Sequence, residues 1–366
     1  MKHLSVMIKP VSSACNLRCR YCFYADVAKS RERASFGVMS EEMTDRLLEQ
    51  VLASLSPKDR VTFAFQGGEP ALAGLAYYQH FTEMADRWDK RVHVEYAFQT
   101  NGLLLDETWC ALFAERGFLV GLSLDLPKEQ HDMNRVDGQG RGSYQRAEQA
   151  LKLLKRYHVE HNILSTLTNA AARHPRQVWR AIEKLDLRYV QFTPCIGGLD
   201  GEETSWALTP DRFAAFYISL FEEWNKAHWA GNYRSIKLFD DILNLLVRGI
   251  PTACGIDGKC RAQMAVEADG SVFPCDFYCL DAWKMGNILE QSPLELQQSP
   301  RVGAFQSRLA PLPEACASCR FFGMCGGGCA RMRGTMCRDG GVCGYRMFLQ
   351  SCLEPMKRIA LSLRRR

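Results

Sequence analysis

The sequence predicts an α/β protein: a partial (β/α)6 TIM-like barrel followed by a smaller, cysteine-rich C-terminal domain. Three observations carry this. From Leu4 to about residue 193, short apolar runs alternate with amphipathic segments, and such alternation implies a parallel sheet with crossover helices. The alternation stops at one long amphipathic stretch, Pro210 to Ala230. From Cys254 onward the chain is rich in cysteine and glycine and poor in apolar periodicity. A domain of that composition relies on bound metal for its fold.

The elements follow in order. Leu4 to Ile8 reads as a first strand, and a cysteine loop comes after it. Ser40 suits a helix N-cap, with Glu41 and Glu42 at the positive end. Met43, Leu47, Leu48, Val51, Leu52 and Leu55 then share one face. Val61 to Phe65 is a buried strand ending in Gly67-Gly68. Tyr77, Tyr78, Phe81, Met84, Ala85 and Trp88 repeat at helical spacing. Val92 to Phe98 is a strand with an exit turn at Asn101-Gly102. Phe118 to Leu124, Asn162 to Leu167 and Arg188 to Phe192 supply three more. Six units are fewer than the eight of a closed barrel and leave a lateral mouth. Functional loops of parallel sheets sit at the C-terminal strand ends. The cysteine loop, Gly67-Gly68-Glu69, Gln99 to Gly102 and Ser123 to Asp125 all fall there. The predicted domains are residues 1–235 for the barrel with its linking helix, 236–343 for the cysteine-rich domain and 344–366 for a C-terminal helix.

The totals exclude several classes. A net charge of +5 over 366 residues leaves no footprint for nucleic acid. No apolar run reaches the ~18 residues of a membrane span, and the first ten residues do not resemble a secretory signal. The sixteen cysteines therefore read as metal-bound thiolates in a reducing cytoplasm, not as a disulfide scaffold.

Cys15, Cys19 and Cys22 are spaced Cys-x3-Cys-x2-Cys. Three thiolates hold three corners of a four-iron cluster and leave one iron open to a small molecule's amine and carboxylate. A zinc site needs a fourth ligand, and no nearby His supplies one. With Tyr21 before the third cysteine, the run resembles the signature of radical S-adenosylmethionine enzymes. Gly67-Gly68-Glu69-Pro70 is similar to that superfamily's glycine-glycine-glutamate motif, which contacts the amino group of S-adenosylmethionine. The glycines would let backbone carbonyls come close to the ligand, and Glu69 would add negative charge near an ammonium. The resemblance extends to Ser123 and Arg135 as holders of the ribose and carboxylate.

Cys260, Cys275, Cys316, Cys319, Cys325 and Cys329 are spaced as in the SPASM domain, which houses two further four-iron clusters. Met264 to Pro274 reads as a hairpin turning at Asp269-Gly270. The resemblance implies one cluster on Cys254, Cys260, Cys275 and Cys329. It implies another on Cys316, Cys319, Cys325 and a later cysteine, taken as Cys343 with Cys337 and Cys352 left open. The chain thus carries three 4Fe-4S clusters, one binding S-adenosylmethionine and two auxiliary. The auxiliary pair would move electrons. Cys110, Cys195, Cys279 and one or two of the C-terminal cysteines are left as small buried hydrophobes.

Ile8-Lys9-Pro10, Cys22-Phe23-Tyr24, Phe63 to Pro70, Gln99 to Gly102, Val120 to Ser123 and Pro274-Cys275-Asp276-Phe277-Tyr278 together resemble anaerobic sulfatase-maturating enzymes. That family oxidises a Cys or Ser of a sulfatase to Cα-formylglycine, within a Cys/Ser-x-Pro/Ala-x-Arg motif, through a 5′-deoxyadenosyl radical. A ferredoxin or flavodoxin donates the electron. By the same resemblance Asp276 is the base that takes the thiol or hydroxyl proton. A carboxylate is weak for that task, so the role calls for burial. Tyr24 would wall the substrate and Gln66 would hydrogen-bond its backbone. Two alternatives stand beside this reading. One is a SPASM-type radical enzyme that makes thioethers or epimerises peptides; the other is a zinc-stabilised interaction module without enzymatic activity.

Overall fold

The computed structural model describes residues 3–88, 92–199, 201, 204–308, 311–338 and 342–364. Its strands are β1 (His3–Ile8), β2 (Arg60–Phe65), β3 (His93–Thr100), β4 (Phe118–Ser123), β5 (His161–Leu167), β6 (Tyr189–Pro194), β7 (Ser235–Ile236), β8 (Ala265–Val266), β9 (Ser271–Phe273) and β10 (Gly286–Asn287). The chain divides into two compact units. One comprises Met1–Ser123, Arg135–His161 and Ala262–Arg308; the other comprises Leu124–Asn134, Asn162–Arg261 and Leu309–Arg366.

In the first unit β1, β2, β3 and β4 pair in parallel, each with the next. Alternate residues explain the burial: Val6, Ile8, Val61, Phe63 and Phe65 are fully covered. The aromatic rings form the core. Phe65 meets Tyr78 edge-on at 5.0 Å and Phe81 at 4.9 Å, and each such pair adds about 0.5–1.5 kcal/mol beyond its burial. Tyr78 and Phe81 come from the helix Leu75–Asp86. The helix Glu41–Ala53 begins as the sequence predicts, with the Ser40 hydroxyl accepting from Met43 N–H. β8 adds to β1 in parallel, and β9 folds back on β8 through Gly270, whose φ is +80°. The Lys9 N–H donates to Val266 O at 2.8 Å, so the hairpin is tied to the segment that leads into the cysteine loop.

In the second unit β5, β6 and β7 pair in parallel. The helix Pro210–Trp229 packs with Lys237–Arg248 and Gly344–Arg364 through aromatic side chains. Tyr217 lies 6.1 Å from Phe239 and 5.9 Å from Phe348. Gly344 permits the contact: a Cβ there would stand 1.9 Å from Pro210 O. That contact fixes the chain just after Cys343. Among the described residues no helix is long and apolar enough to cross a membrane. The six strands expected from the alternation are β1 to β6.

Candidate active site and cluster-binding cysteines

Cys15, Cys19 and Cys22 lie on the loop between β1 and the short helix Phe23–Lys29, and all are half-buried free thiols. Neighbouring backbone holds the loop in place. Arg18 N–H donates to Val136 O at 2.7 Å, and Leu17 N–H reaches the Cys15 sulfur at 3.4 Å. The Asn101 side-chain amide, at the end of β3, donates to Asn16 Oδ1 at 2.7 Å and lies 3.9 Å from the same sulfur. Amide hydrogens aimed at a sulfur favour its thiolate form. Burial works against this and pushes the Cys15 thiol up to about 11, so metal binding there releases a proton. The donor set suits an iron–sulfur cluster: three thiols, none in a disulfide, with N–H groups directed at one of them.

Gly67 and Gly68 meet this loop directly. Gly68 N–H donates to Ser12 O at 3.0 Å, and Glu69 N–H donates to Ala14 O at 2.8 Å. A Cβ on Gly68 would stand 1.9 Å from Ala14 O. The glycines are therefore needed for a close approach to the cysteine loop itself. Glu69 is 1 % exposed, and its carboxylate accepts from Thr100 Oγ1 at 2.7 Å, Asn101 N at 2.7 Å and Ala71 N at 3.1 Å. It is an internal tie between the ends of β2 and β3.

Burial raises the Glu69 carboxyl from 4.5 to about 7, against the three hydrogen bonds that lower it. The folded state thus holds this proton more tightly than the unfolded chain. Its stabilising contribution is full below pH 4.5, declines as pH rises to about 7 and is constant above. Glu69→Gln is expected to abolish that slope. It also costs about 1–3 kcal/mol, because one carboxylate oxygen becomes an N–H2 facing a donor. Urea unfolding of the iron-loaded protein at pH 5 and pH 8 checks this. An unchanged slope in the variant would assign the titration elsewhere.

Ser123 ends β4, where its hydroxyl accepts from Gln99 Nε2 at 3.0 Å. Arg135 is buried, and its guanidinium lies 5.6 Å from the Tyr21 ring centroid. A residue before Cys22 is thereby held by the segment that also binds Leu17 and Arg18.

Asp276, on the short turn Asp276–Tyr278, is buried. One oxygen accepts from Tyr24 OH at 2.7 Å, and the other lies 3.1 Å from Lys9 Nζ. Tyr24 OH is also 3.2 Å from Gln66 Oε1. With one proton to give, the phenol serves the shorter, charged acceptor. Burial and the charge of Asp276 push Tyr24 well above its ordinary value, so it stays a donor. Lys9 is 2 % exposed. Burial alone would lower it, but the hydrogen bond to Cys279 and the carboxylates of Asp276 and Glu267 together hold it above the usual lysine range. Its ammonium lies 3.2 Å from Cys279 Sγ, 3.7 Å from Glu267 and 4.7 Å from the centroid of Tyr24. Glu267 in turn pairs with Arg31 at 2.6 Å. Two buried cations thus balance two buried carboxylates. Cys279, assigned from sequence as a small hydrophobe, is pushed up to about 12 by burial and remains a thiol. Lys9, Glu267 and Arg31 were not singled out. For Lys9 a signal existed: a lysine within Val6-Met7-Ile8-Lys9-Pro10-Val11 needs a partner wherever that run is buried.

In the second unit, burial raises the Cys254 thiol, and its neighbours Cys329 and Cys260 add to the shift. A Cβ on Gly255 would lie 2.7 Å from Cys329 Cβ, so the two segments touch there. Cys316, Cys319, Cys325, Cys337 and Cys343 line one cavity of about 90 Å³. Cys352 is not among them; it is buried in the C-terminal helix, near Glu222. Cys275 belongs to the first unit and adjoins Asp276. Cys110 and Cys195 are buried. Among the described residues no three His, Cys, Asp or Glu side chains meet closely enough to hold a metal ion.

The chain matches the radical SAM superfamily over residues 10–171 and the SPASM iron–sulfur cluster-binding domain over residues 258–320. Fold and cysteines thus define a radical SAM protein with a SPASM domain. The cysteine-type anaerobic sulfatase-maturating enzyme of Clostridium perfringens is 39 % identical over 336 residues, covering 91 % of this chain and 90 % of that one. The serine-type enzyme of Bacteroides thetaiotaomicron is 30 % identical over 356 residues, covering 93 % and 85 %. The solved structure of native anSMEcpe with bound AdoMet and Cp18Cys peptide superposes with a TM-score of 0.90 at 36 % identity, covering 99 % of each chain. The chain belongs to the anaerobic sulfatase-maturating enzymes.

Proposed function

We propose that this enzyme oxidises one residue of a sulfatase polypeptide to Cα-formylglycine, within a Cys/Ser-x-Pro/Ala-x-Arg sequence, and that cysteine is the preferred target. The observation that carries the reading is Asp276: a buried carboxylate held by Tyr24 and Lys9, one residue from Cys275. The higher identity to the cysteine-type relatives supports the preference. The enzyme works in the cytoplasm, with a ferredoxin or flavodoxin as electron donor.

A four-iron cluster on Cys15, Cys19 and Cys22 with S-adenosylmethionine supplies, when bound, a 5′-deoxyadenosyl radical that takes a hydrogen atom from the target Cβ. Gly67 and Gly68 seat the cysteine loop, and Glu69 locks the ends of β2 and β3 around it. Ser123 and Arg135 hold the ribose and carboxylate, and Arg135 also fixes Tyr21. Tyr24 and Gln66 border the target residue. Asp276 takes the thiol proton, and Lys9 keeps that carboxylate in place. The SPASM cysteines, Cys254, Cys260, Cys275 and Cys329 with Cys316, Cys319, Cys325 and Cys343, hold the two auxiliary clusters.

The test is anaerobic incubation with S-adenosylmethionine, dithionite and paired Cys- and Ser-containing sulfatase peptides, read by mass spectrometry. An aldehyde on the Cys peptide first is expected. A thioether-linked or epimerised product, or intact peptide from iron-loaded enzyme, would overturn the proposal. Joint replacement of Cys15, Cys19 and Cys22 by Ala is expected to abolish 5′-deoxyadenosine while the auxiliary iron stays bound. Continued 5′-deoxyadenosine formation would remove those residues from their role.

A further inference from the structure

The cavity lined by Cys316, Cys319 and Cys325 also takes Cys337 and Cys343. That is one thiol more than a four-iron cluster needs. The two candidates face each other across an isolated antiparallel bridge, flanked by the bond from Arg338 N–H to Val342 O at 3.3 Å. Their surroundings differ. Cys343 directly precedes the helix Gly344–Arg364, and its sulfur accepts from Arg346 N–H at 3.4 Å. A backbone donor of that kind suits a sulfur that carries charge. Cys337 is buried, and its N–H is bonded to Arg333 O at 2.7 Å. Its side chain shares the cavity with those of Cys343 and Cys316 and interacts with both.

Resting on the reading of Cys316, Cys319, Cys325 and Cys343 as the ligands, we propose that Cys337 is a fifth thiol that donates its S–H to one ligand sulfur, that of Cys343 across the bridge or that of Cys316, and raises the reduction potential of this auxiliary cluster. Once four corners are taken, a fifth thiol has no iron to bind and acts only as a donor. Donation withdraws electron density from the thiolate and favours the reduced cluster. The Phe321 and Met336 side chains at the same cavity keep the local dielectric low, which strengthens the bond. The cluster becomes a better acceptor for the electron that leaves the substrate.

The test uses full-length protein purified without oxygen, with iron counted per chain and the auxiliary clusters titrated potentiometrically by electron paramagnetic resonance. Cys337→Ala is expected to keep all its iron. At a fixed potential its reduced-to-oxidised ratio for one auxiliary cluster falls about tenfold, or ~59 mV for one electron. Cys337→Ser keeps a donor and is expected to titrate near the parent protein. Cys343→Ala is expected to lose one cluster's iron. The proposal is overturned if Cys337→Ala loses that iron, if it titrates as the parent does, or if Ala and Ser shift the potential equally. A parent protein without auxiliary iron would instead sink the ligand reading beneath it.

Discussion

Asp276→Asn is expected to lower the aldehyde yield by a factor of ~10²–10⁴, the usual contribution of a positioned general base, while S-adenosylmethionine is still cleaved. The two readouts separate because Cys15, Cys19 and Cys22 lie on a different loop from Asp276. The variant has a second effect. Lys9 loses its carboxylate partner at 3.1 Å, and breaking a buried pair costs about 3–5 kcal/mol. A fall in activity could then reflect loss of structure. Adding Lys9→Met removes the stranded cation, so the double variant is expected to regain part of the lost stability and none of the lost aldehyde. Thermal unfolding gives the first quantity, and aldehyde per 5′-deoxyadenosine gives the second. An unchanged ratio in Asp276→Asn would take the base role from this residue.

The Lys9 network also marks where reading the sequence stops. The strands were legible because burial repeats with a period of two, and Val61, Phe63 and Phe65 carry that period openly. The cysteines were legible because spacing along the chain is itself the signal. A buried ion pair between residues 9 and 276 has no such local mark. The apolar run around Lys9 says that it needs a partner but not which one, and only the return of β8 beside β1 brings Glu267 to Lys9. Cys279 was read as a filler for the same reason: its partner lies 270 positions away. Cys337 posed another problem. The resemblance leaves Cys337, Cys343 and Cys352 competing for one ligand position. The bridge between Cys337 and Cys343 shows that both reach the cavity, while Cys352 is drawn into a helix by its apolar face.

The motif Gly67-Gly68-Glu69 gains a different physical basis from its surroundings. The roles expected from sequence place these residues beside a bound molecule. Within the fold, Glu69 accepts from Thr100, Asn101 and Ala71, and the glycines lie against Ser12 and Ala14. The motif is then the floor on which the cysteine loop rests.

Gly68→Ala is the direct test of that floor. The added methyl would meet Ala14 O at 1.9 Å, Ala14 C at 2.6 Å and Ser13 C at 2.8 Å. All three are backbone atoms, so no side-chain rotation relieves the clash, and the loop itself has to retreat by more than 1 Å to reach ordinary contact. The hydrogen bonds from Gly68 to Ser12 and from Glu69 to Ala14 lengthen with it. Cys15 follows Ala14 directly, and metal ligands tolerate displacements of only about 0.2 Å. The variant is therefore expected to lose the iron of the first cluster and to form 5′-deoxyadenosine at least ~100-fold more slowly, the scale of a 1 Å misplacement. The auxiliary iron is expected to stay, because its cysteines lie on other segments. Gly303→Ala is the matched control. It lies in the helix Pro300–Ser307 with nothing within 4 Å of the added carbon, and it is expected to leave iron content and cleavage unchanged. Should Gly68→Ala keep its full iron and cleave at the parent rate, the loop is more pliable than this packing implies. The glycine would then have to be explained by the bound molecule after all.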